Sequence, residues 1–125
     1  MTHLDTSFLI RALVRGSPQD VALREWLRVG ERVAISVVAW TEFLCGPIRA
    51  HEVDLAARVV AQRVPFTEEN AALAARLFNE SGRRRGSLMD CMIAATALGG
   101  GALIATNNAS DFRRFERAGL RLARV

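Results

Sequence analysis

Four acidic residues, Asp5, Glu42, Asp90 and Asp111, stand where the sequence changes from strand-like to helix-like. Asp5 ends the first strand-like segment, and Asp111 follows a later one. Glu42 lies about one turn into a predicted helix, and Asp90 lies in the first turn of another. Because active sites of open parallel sheets collect at the carboxyl ends of the strands, we expect all four acids to face one rim.

Such a group of carboxylates points to metal chemistry. Carboxylates that are brought together repel one another and raise each other's pKa unless a cation compensates for their charge. Mg²⁺ prefers oxygen ligands and can activate a water while it neutralises charge on a phosphate. Mn²⁺ is expected to substitute for it. The four acids therefore predict metal-assisted hydrolysis of a phosphodiester.

Each acid also has a purely structural explanation when it is taken alone. Asp5 and Asp111 could each cap the N-terminus of the helix that follows. Asp90 lies three residues after Ser87 and would complete a capping box with it. Glu42 could be a solvated helix residue. All four acids share a similar placement relative to the predicted strands. Four separate structural roles explain that shared placement less well than one common site does.

Strands and helices alternate along the chain, and short connections join them. This order predicts an α/β fold, a three-layer α/β/α sandwich with a mostly parallel central sheet, formed by residues 1–125 as a single domain. The predicted strands are MTHLD, residues 32–38, ALIAT and LRLARV. The predicted helices lie after Asp5 and over residues 18–30, 39–46, 48–62, 67–81, 87–99 and 111–119.

The composition favours a compact protein with a polyanionic partner. Half of the 125 residues are apolar, all 17 basic residues are arginine, and the net charge is +4. GC-rich codon usage would also produce the arginine bias. No apolar run approaches the roughly 18 residues of a membrane span, and the N-terminus lacks the features of a secretory signal, which predicts a cytoplasmic protein without a membrane partner. We expect Cys45 and Cys91 to be buried, reduced thiols.

Four segments, in order and over nearly the whole chain, resemble the motifs of the PIN-domain family. In that family the first strand ends in an aspartate followed by a small hydroxyl residue. The second motif carries a glutamate, the third an aspartate before an Ile-Ala-Ala helix, and the fourth several polar positions before a helix. The matching segments are LDTSFLI, ISVVAWTEFLCG, RRRGSLMDCMIAATAL and IATNNASDFRRF.

The resemblance implies a metal-dependent endoribonuclease, similar to the VapC toxins of VapBC toxin-antitoxin pairs. A VapB-like antitoxin would hold it inactive, RNA would be its substrate, and it would often form a homodimer. Asp5, Glu42, Asp90 and Asp111 would be the catalytic, metal-binding carboxylates. Many relatives carry an acid where this chain has Asn108, so we assign the fourth carboxylate to Asp111 and keep Asn108 as a neutral oxygen ligand or water-orienting group.

Other polar residues of these segments could support such a site. Thr6, Ser7 and Thr106 are candidates to donate hydrogen bonds to carboxylate oxygens and orient them, or they could only cap backbone groups. The arginine run 83–85 precedes the Asp90 helix and could hold RNA phosphates. It could equally be a helix C-terminus with favourable cations and a solvated turn.

Two further functions fit parts of the sequence. One is a phosphatase or phosphotransferase with Asp5 as nucleophile, but the chain lacks a second aspartate two residues on, a Gly-rich phosphate loop and a histidine cluster. The other is a non-catalytic α/β module that binds RNA or a protein, for which four acids at one rim are not needed. An antitoxin surface would use apolar residues of the first four helices.

Overall fold

The computed structural model describes residues 1–125, and its centre is a four-stranded sheet in the order β3-β2-β1-β4. All three strand pairings are parallel, as the alternation of strands and helices predicts. Thr2 of β1 is paired with Val33 of β2 on one side and with Leu103 of β4 on the other. The strands are β1 (Thr2–Leu4), β2 (Val33–Ser36), β3 (Gln62–Val64) and β4 (Leu103–Ala105).

Helices connect the strands and cover both faces of the sheet, which gives the three-layer α/β/α sandwich. The three residues of β1 are all buried although successive side chains point to opposite faces, so both faces of this central strand are covered. The helices are α1 (Thr6–Ala12), α2 (Pro18–Arg28), α3 (Val37–Cys45), α4 (Ala50–Val59), α5 (Glu68–Glu80), α6 (Leu88–Gly99) and α7 (Ala109–Phe112), which a 3₁₀ helix (Arg113–Ala118) follows. None of them has the length and apolar character that a bilayer span requires.

Two strand predictions differ from the structure. The second strand ends at Ser36 rather than at residue 38, because the Ser36 hydroxyl accepts a hydrogen bond from the Ala39 amide at 3.0 Å and starts α3 there. The predicted last strand, LRLARV, is reduced to one bridge between Ile104 and Leu122. The sequence analysis also missed β3, an edge strand whose residues are mostly exposed and carry little apolar pattern.

Two other details are corrected. The last predicted helix begins at Ala109 and continues as a 3₁₀ helix, so Asp111 is the third residue of α7 and not its N-cap. Both cysteines are free thiols, as expected, but only Cys91 is buried and Cys45 is exposed. Cys45 is the last residue of α3, where the helix leaves the core.

The early start of α3 predicts the effect of Ser36→Ala. The hydroxyl is 1% exposed and satisfies a buried amide of the first helical turn, so we expect this change to lower the free energy of unfolding by about 1–2 kcal/mol in urea denaturation. The control is Thr41→Ala, in the same helix. The Thr41 hydroxyl is exposed and donates to Val37 O, so its removal should change the free energy of unfolding by less than about 0.5 kcal/mol. Equal losses in the two variants would contradict the capping role.

Candidate active site

The four acids lie where parallel strands end and helices begin. Asp5 directly follows β1 and is the N-cap of α1, where its Oδ1 accepts a hydrogen bond from the Thr6 amide at 2.8 Å. Glu42 is the sixth residue of α3, which directly follows β2. Asp90 and Asp111 are each the third residue of a helix, α6 and α7. Three adjacent strands and one helix start thus supply one carboxylate each.

Electrostatics shows that the structure brings these acids together. Burial raises the pKa of Asp90 to about 6, and the negative charges of Asp5, Asp111 and Glu42 raise it too, while the Arg114 cation acts in the opposite direction. Burial also raises the pKa of Glu42, with a further contribution from Asp5. The charges of the other three acids therefore all reach Asp90, at the rim where the sequence predicts a common site.

The structural explanations hold for only one of the four acids. Asp5 does cap its helix. Asp90 takes no part in a capping box, because the Ser87 hydroxyl donates to Arg84 O at 2.7 Å instead and makes no cap bond. Asp111 lies beyond the cap position, and Glu42 is half-buried rather than solvated. Three acids thus have no capping or solvation role that would explain their place.

Hydroxyl groups hold Asp5 and Glu42 in place. Asp5 Oδ2 accepts hydrogen bonds from Ser7 Oγ at 2.9 Å and from Thr106 Oγ1 at 2.8 Å. Thr6 Oγ1 lies 3.0 Å from Glu42 Oε1 and 3.0 Å from Ala39 O, so its single proton is shared between these acceptors. This is the geometry of hydroxyls that orient carboxylates, which the sequence analysis predicts for Thr6, Ser7 and Thr106.

The loop after β4 is tied to the same network through its backbone. The Asn107 amide donates to Ser7 Oγ at 3.0 Å, and the Asn108 amide donates to Thr106 Oγ1 at 2.9 Å. The Asn107 side chain accepts a hydrogen bond from Gln19 Nε2 of α2 at 2.8 Å. The Asn108 side chain makes no cap bond and is exposed at the start of α7. Sequence reasoning missed the contact with Gln19, since nothing in the local pattern joins residues so far apart.

The acids do not form a ready-made metal site. No three Asp, Glu, His or Cys side chains are close enough together to coordinate an ion as they stand. The donor set still fits a hard divalent cation, because every candidate ligand is a carboxylate or amide oxygen. Burial is the main cause of the raised pKa of Asp90 and Glu42, and the charges of neighbouring acids add to it. A cation would compensate for those charges, and the side chains would close around it.

One positive charge at this site, that of Arg114, is not among the residues that the sequence predicts for it. Arg114 Nη2 lies 3.9 Å from Asp90 Oδ2, and the guanidinium carbon lies 4.5 Å from the centre of the Phe115 ring. Nε and Nη2 are buried and have no hydrogen-bond partner. The spacing from Asp111 to Arg114, three residues in a helical segment, is the signal that could have placed both on one face.

The arginine run divides into one tethered and two free side chains. Arg83 has a left-handed backbone (φ 53°), its side chain donates to Asn79 Oδ1, and its guanidinium lies 5.4 Å from the Phe78 ring centre. These contacts hold Arg83 against α5. Arg84 and Arg85 are exposed and form no ion pair within the chain. Only the latter two are free to bind an external anion without breaking a contact.

Solved structures of toxin-antitoxin proteins share this fold. VapBC2 from Rickettsia felis, solved with a DNA fragment from its promoter, has 20% identity and a TM-score of 0.75 over 98% of this chain and 96% of that one. VapBC-5 from Mycobacterium tuberculosis has 26% identity and a TM-score of 0.64 over 99% and 98%. VapC20 of the same organism, described as a sarcin-ricin loop cleaving toxin, has 16% identity and a TM-score of 0.70 over 100% of both chains.

Comparison with curated proteins finds no match. The family model described as the PIN domain matches residues 3–118, which include all four acids and every hydroxyl group bound to them. The match therefore spans all of the sheet except Thr2, together with the complete site at its rim. The chain belongs to the PIN-domain family.

Proposed function

We propose that this chain is a metal-dependent endoribonuclease and the toxin of a VapBC-type pair. The observation that carries the proposal is the group of four carboxylates at one rim, where the charges of Asp5, Glu42 and Asp111 act on Asp90. Likeness to toxins at 16–26% identity supports the fold, and the site supports the chemistry. A non-catalytic binding module would not need to bear this electrostatic cost.

The carboxylates that would hold Mg²⁺ or Mn²⁺ are those of Asp5, Glu42, Asp90 and Asp111. The Asn108 amide oxygen could serve as a further, neutral ligand. The bound ion would activate a water and neutralise charge on the scissile phosphate. The protein's own part is to orient the ligands. Ser7 and Thr106 hold Asp5 Oδ2 from two sides, and the Thr6 hydroxyl holds Glu42. A homodimer stays a prediction from the family resemblance.

The raised pKa of Asp90 predicts an increase in stability for Asp90→Asn in metal-free buffer. A carboxyl whose pKa is raised by folding stabilises the protein below its ordinary pKa of 3.8, and this contribution is lost as the pH rises through about 6. At pH 7 the ionised side chain therefore costs stability. We expect the free energy of unfolding of the asparagine variant to exceed that of the wild type by on the order of 1 kcal/mol. The gain is limited because the variant also loses the attraction between Asp90 and Arg114.

The control for this measurement is Asp54→Asn, an exposed acid of α4 that should change stability by less than about 0.5 kcal/mol. Millimolar Mn²⁺ should raise the melting temperature of the wild type and not that of Asp90→Asn. A variant less stable than the wild type at pH 7 without metal would show that Asp90 is structural.

The catalytic proposal predicts RNA cleavage that depends on both metal and Glu42. Wild-type protein with Mg²⁺ should cut total bacterial RNA at sites that can be mapped by sequencing 5′ ends, and EDTA should stop it. Glu42→Gln should lower the cleavage rate by on the order of 10³-fold. Glu69→Gln, an exposed acid of α5, is the control and should cleave as the wild type does. Binding of RNA without metal-dependent turnover would favour the non-catalytic module.

An apolar groove between α1, α2 and α4 is the surface that we propose for the antitoxin. It encloses about 370 Å³, and six of its nine lining residues are apolar, with Arg15, Asp20 and Arg24 at its edge. Leu27 and Leu55 line it and remain more than 40% exposed. Complexes of related toxins with antitoxins support a protein as its occupant. A short amphipathic helix with apolar residues at i and i+3 or i+4 fits a groove of this shape.

Leu27→Arg should therefore abolish co-purification with a cognate VapB-like antitoxin, while melting temperature and RNA cleavage stay unchanged. Leu27 is 44% exposed, so an arginine there can reach solvent without unfolding the helix. Val21→Arg is the matched control, on the same helix, 60% exposed and outside the groove. Unchanged antitoxin binding by Leu27→Arg would exclude the groove as the docking surface.

We also propose that the arginine run contributes to RNA binding through Arg84 and Arg85. Both are exposed, and they lie in the turn between α5 and α6, a few residues before Asp90. Arg83 is held against α5, so its part in the run is to fix the turn rather than to bind phosphate directly. Such contacts add affinity for any RNA sequence and make it sensitive to salt.

A further inference from the structure

A cavity of about 380 Å³ lies beside the acidic site, between the end of α5 and the 3₁₀ helix. Leu77, Glu80 and Ser81 line one wall, and Arg114, Phe115 and Arg117 line the other. The volume falls at the small end of ligand pockets, which span about 300–1,000 Å³, and leaves room for a single nucleotide. Arg114 belongs to both places, because it lines the cavity and also faces Asp90 at 3.9 Å.

Arg114 contacts Phe115 and Asp90, yet part of its hydrogen-bonding capacity is unused. The Phe115 ring packs against the guanidinium, and Asp90 attracts it from a distance too long for a hydrogen bond. Nε and Nη2 have no partner within the chain. Buried donors without acceptors cost about 1–3 kcal/mol each, and a rotation of the long side chain towards the cavity would let an anion there accept their bonds.

The charges around the cavity fit a phosphodiester. Arg117 is exposed at its rim and has no ion-pair partner in the chain. Glu80 on the opposite wall is paired with Arg76 at 3.9 Å, which reduces its repulsion of an anion. Arg114 is likewise partly neutralised by Asp90 at 3.9 Å, so the unpaired charge of Arg117 leaves the cavity with a net positive charge that favours an anion with a single charge. The apolar side chains of Leu77 and Phe115 leave one side of the cavity suited to a sugar or base.

The α5 wall of the cavity leads into the turn that carries the arginine run. Ser81, in its α5 wall, is followed immediately by the turn that carries Arg84 and Arg85. A strand of RNA whose scissile phosphate lies at the four acids would have Arg114 beside it, and the cavity that Arg114 lines extends to Ser81 at the end of α5. Acids alone would repel a polyanion, so a cation directly beside them is needed to hold the neighbouring phosphate.

We propose that this cavity is a second substrate subsite, in which Arg114 and Arg117 bind the phosphate of the nucleotide next to the one that is cleaved. The inference rests on the proposed ribonuclease function and deepens it, since it names the residues that set the register of RNA on the site. Arg114 is a binding residue for the adjacent phosphate, and the metal ligands remain the four carboxylates.

The test is RNA affinity as a function of salt, measured by fluorescence anisotropy with a fluorescein-labelled single-stranded 12-nucleotide RNA. All variants carry Glu42→Gln, which protects the RNA and keeps the contact between Arg114 and Asp90. Arg114→Gln and Arg117→Gln should each weaken binding about 3–10-fold and reduce the salt slope by about one. Arg114→Lys should keep the slope of its parent, because the charge is retained. The matched control, Arg113→Gln, removes an exposed neighbouring charge outside the cavity and should leave both quantities unchanged.

Unchanged affinity and slope in Arg114→Gln and Arg117→Gln would overturn the subsite, as would an equal loss in Arg113→Gln, which would indicate a diffuse basic surface. If Arg114→Gln fails to fold, Arg117→Gln decides alone, since its exposed side chain supports no core contact. The double variant Arg84→Gln/Arg85→Gln measures separately how much the turn contributes to RNA affinity. Failure of the proposed function shows differently, as absence of metal-dependent cleavage by the wild type, because this binding assay needs no turnover.

Discussion

Mutual repulsion among four carboxylates is the constraint on which this structure depends. Burial is the main cause that raises the pKa of Asp90 to about 6, and the charges of Asp5, Asp111 and Glu42 act in the same direction. A fold that held these groups together only for stability would be expected to neutralise them. This chain supplies one cation, Arg114, at a distance of 3.9 Å and without a hydrogen bond. The remaining negative charge is what a divalent cation would compensate.

The architecture follows from the need to hold these groups at one rim. β1 lies between β2 and β4, so the carboxyl ends of three neighbouring strands meet there. The hydroxyls of Ser7 and Thr106 join the ends of β1 and β4 through Asp5, and Thr6 joins α1 to α3 through Glu42. Complete burial of β1 makes the position of Asp5 rigid. Rigid placement of Asp5 gives the site one fixed carboxylate, while no three of the acids are close enough together to coordinate an ion as they stand.

Sequence alone predicted the alternation of strands and helices, the parallel sheet and the grouping of the acids, because these depend on local patterns and on the geometry of parallel sheets. It missed the end of β2, where β-branched Val37 and Val38 belong to a helix that the Ser36 cap starts. It also missed β3, whose residues are mostly exposed. The contact between Arg114 and Asp90 could not be predicted, since it joins the 3₁₀ helix to α6 across the fold.

The central claim is that the four acids are ligands of one metal site, and a crystal structure with Mn²⁺ tests it most directly. Anomalous scattering would locate the ion without any assumption about activity. We expect a single strong peak, or two adjacent peaks, coordinated by Asp5 and Asp90 with Glu42 and Asp111 turned towards it. An anomalous map without a peak at this rim, at Mn²⁺ concentrations that saturate the crystal, would contradict the account.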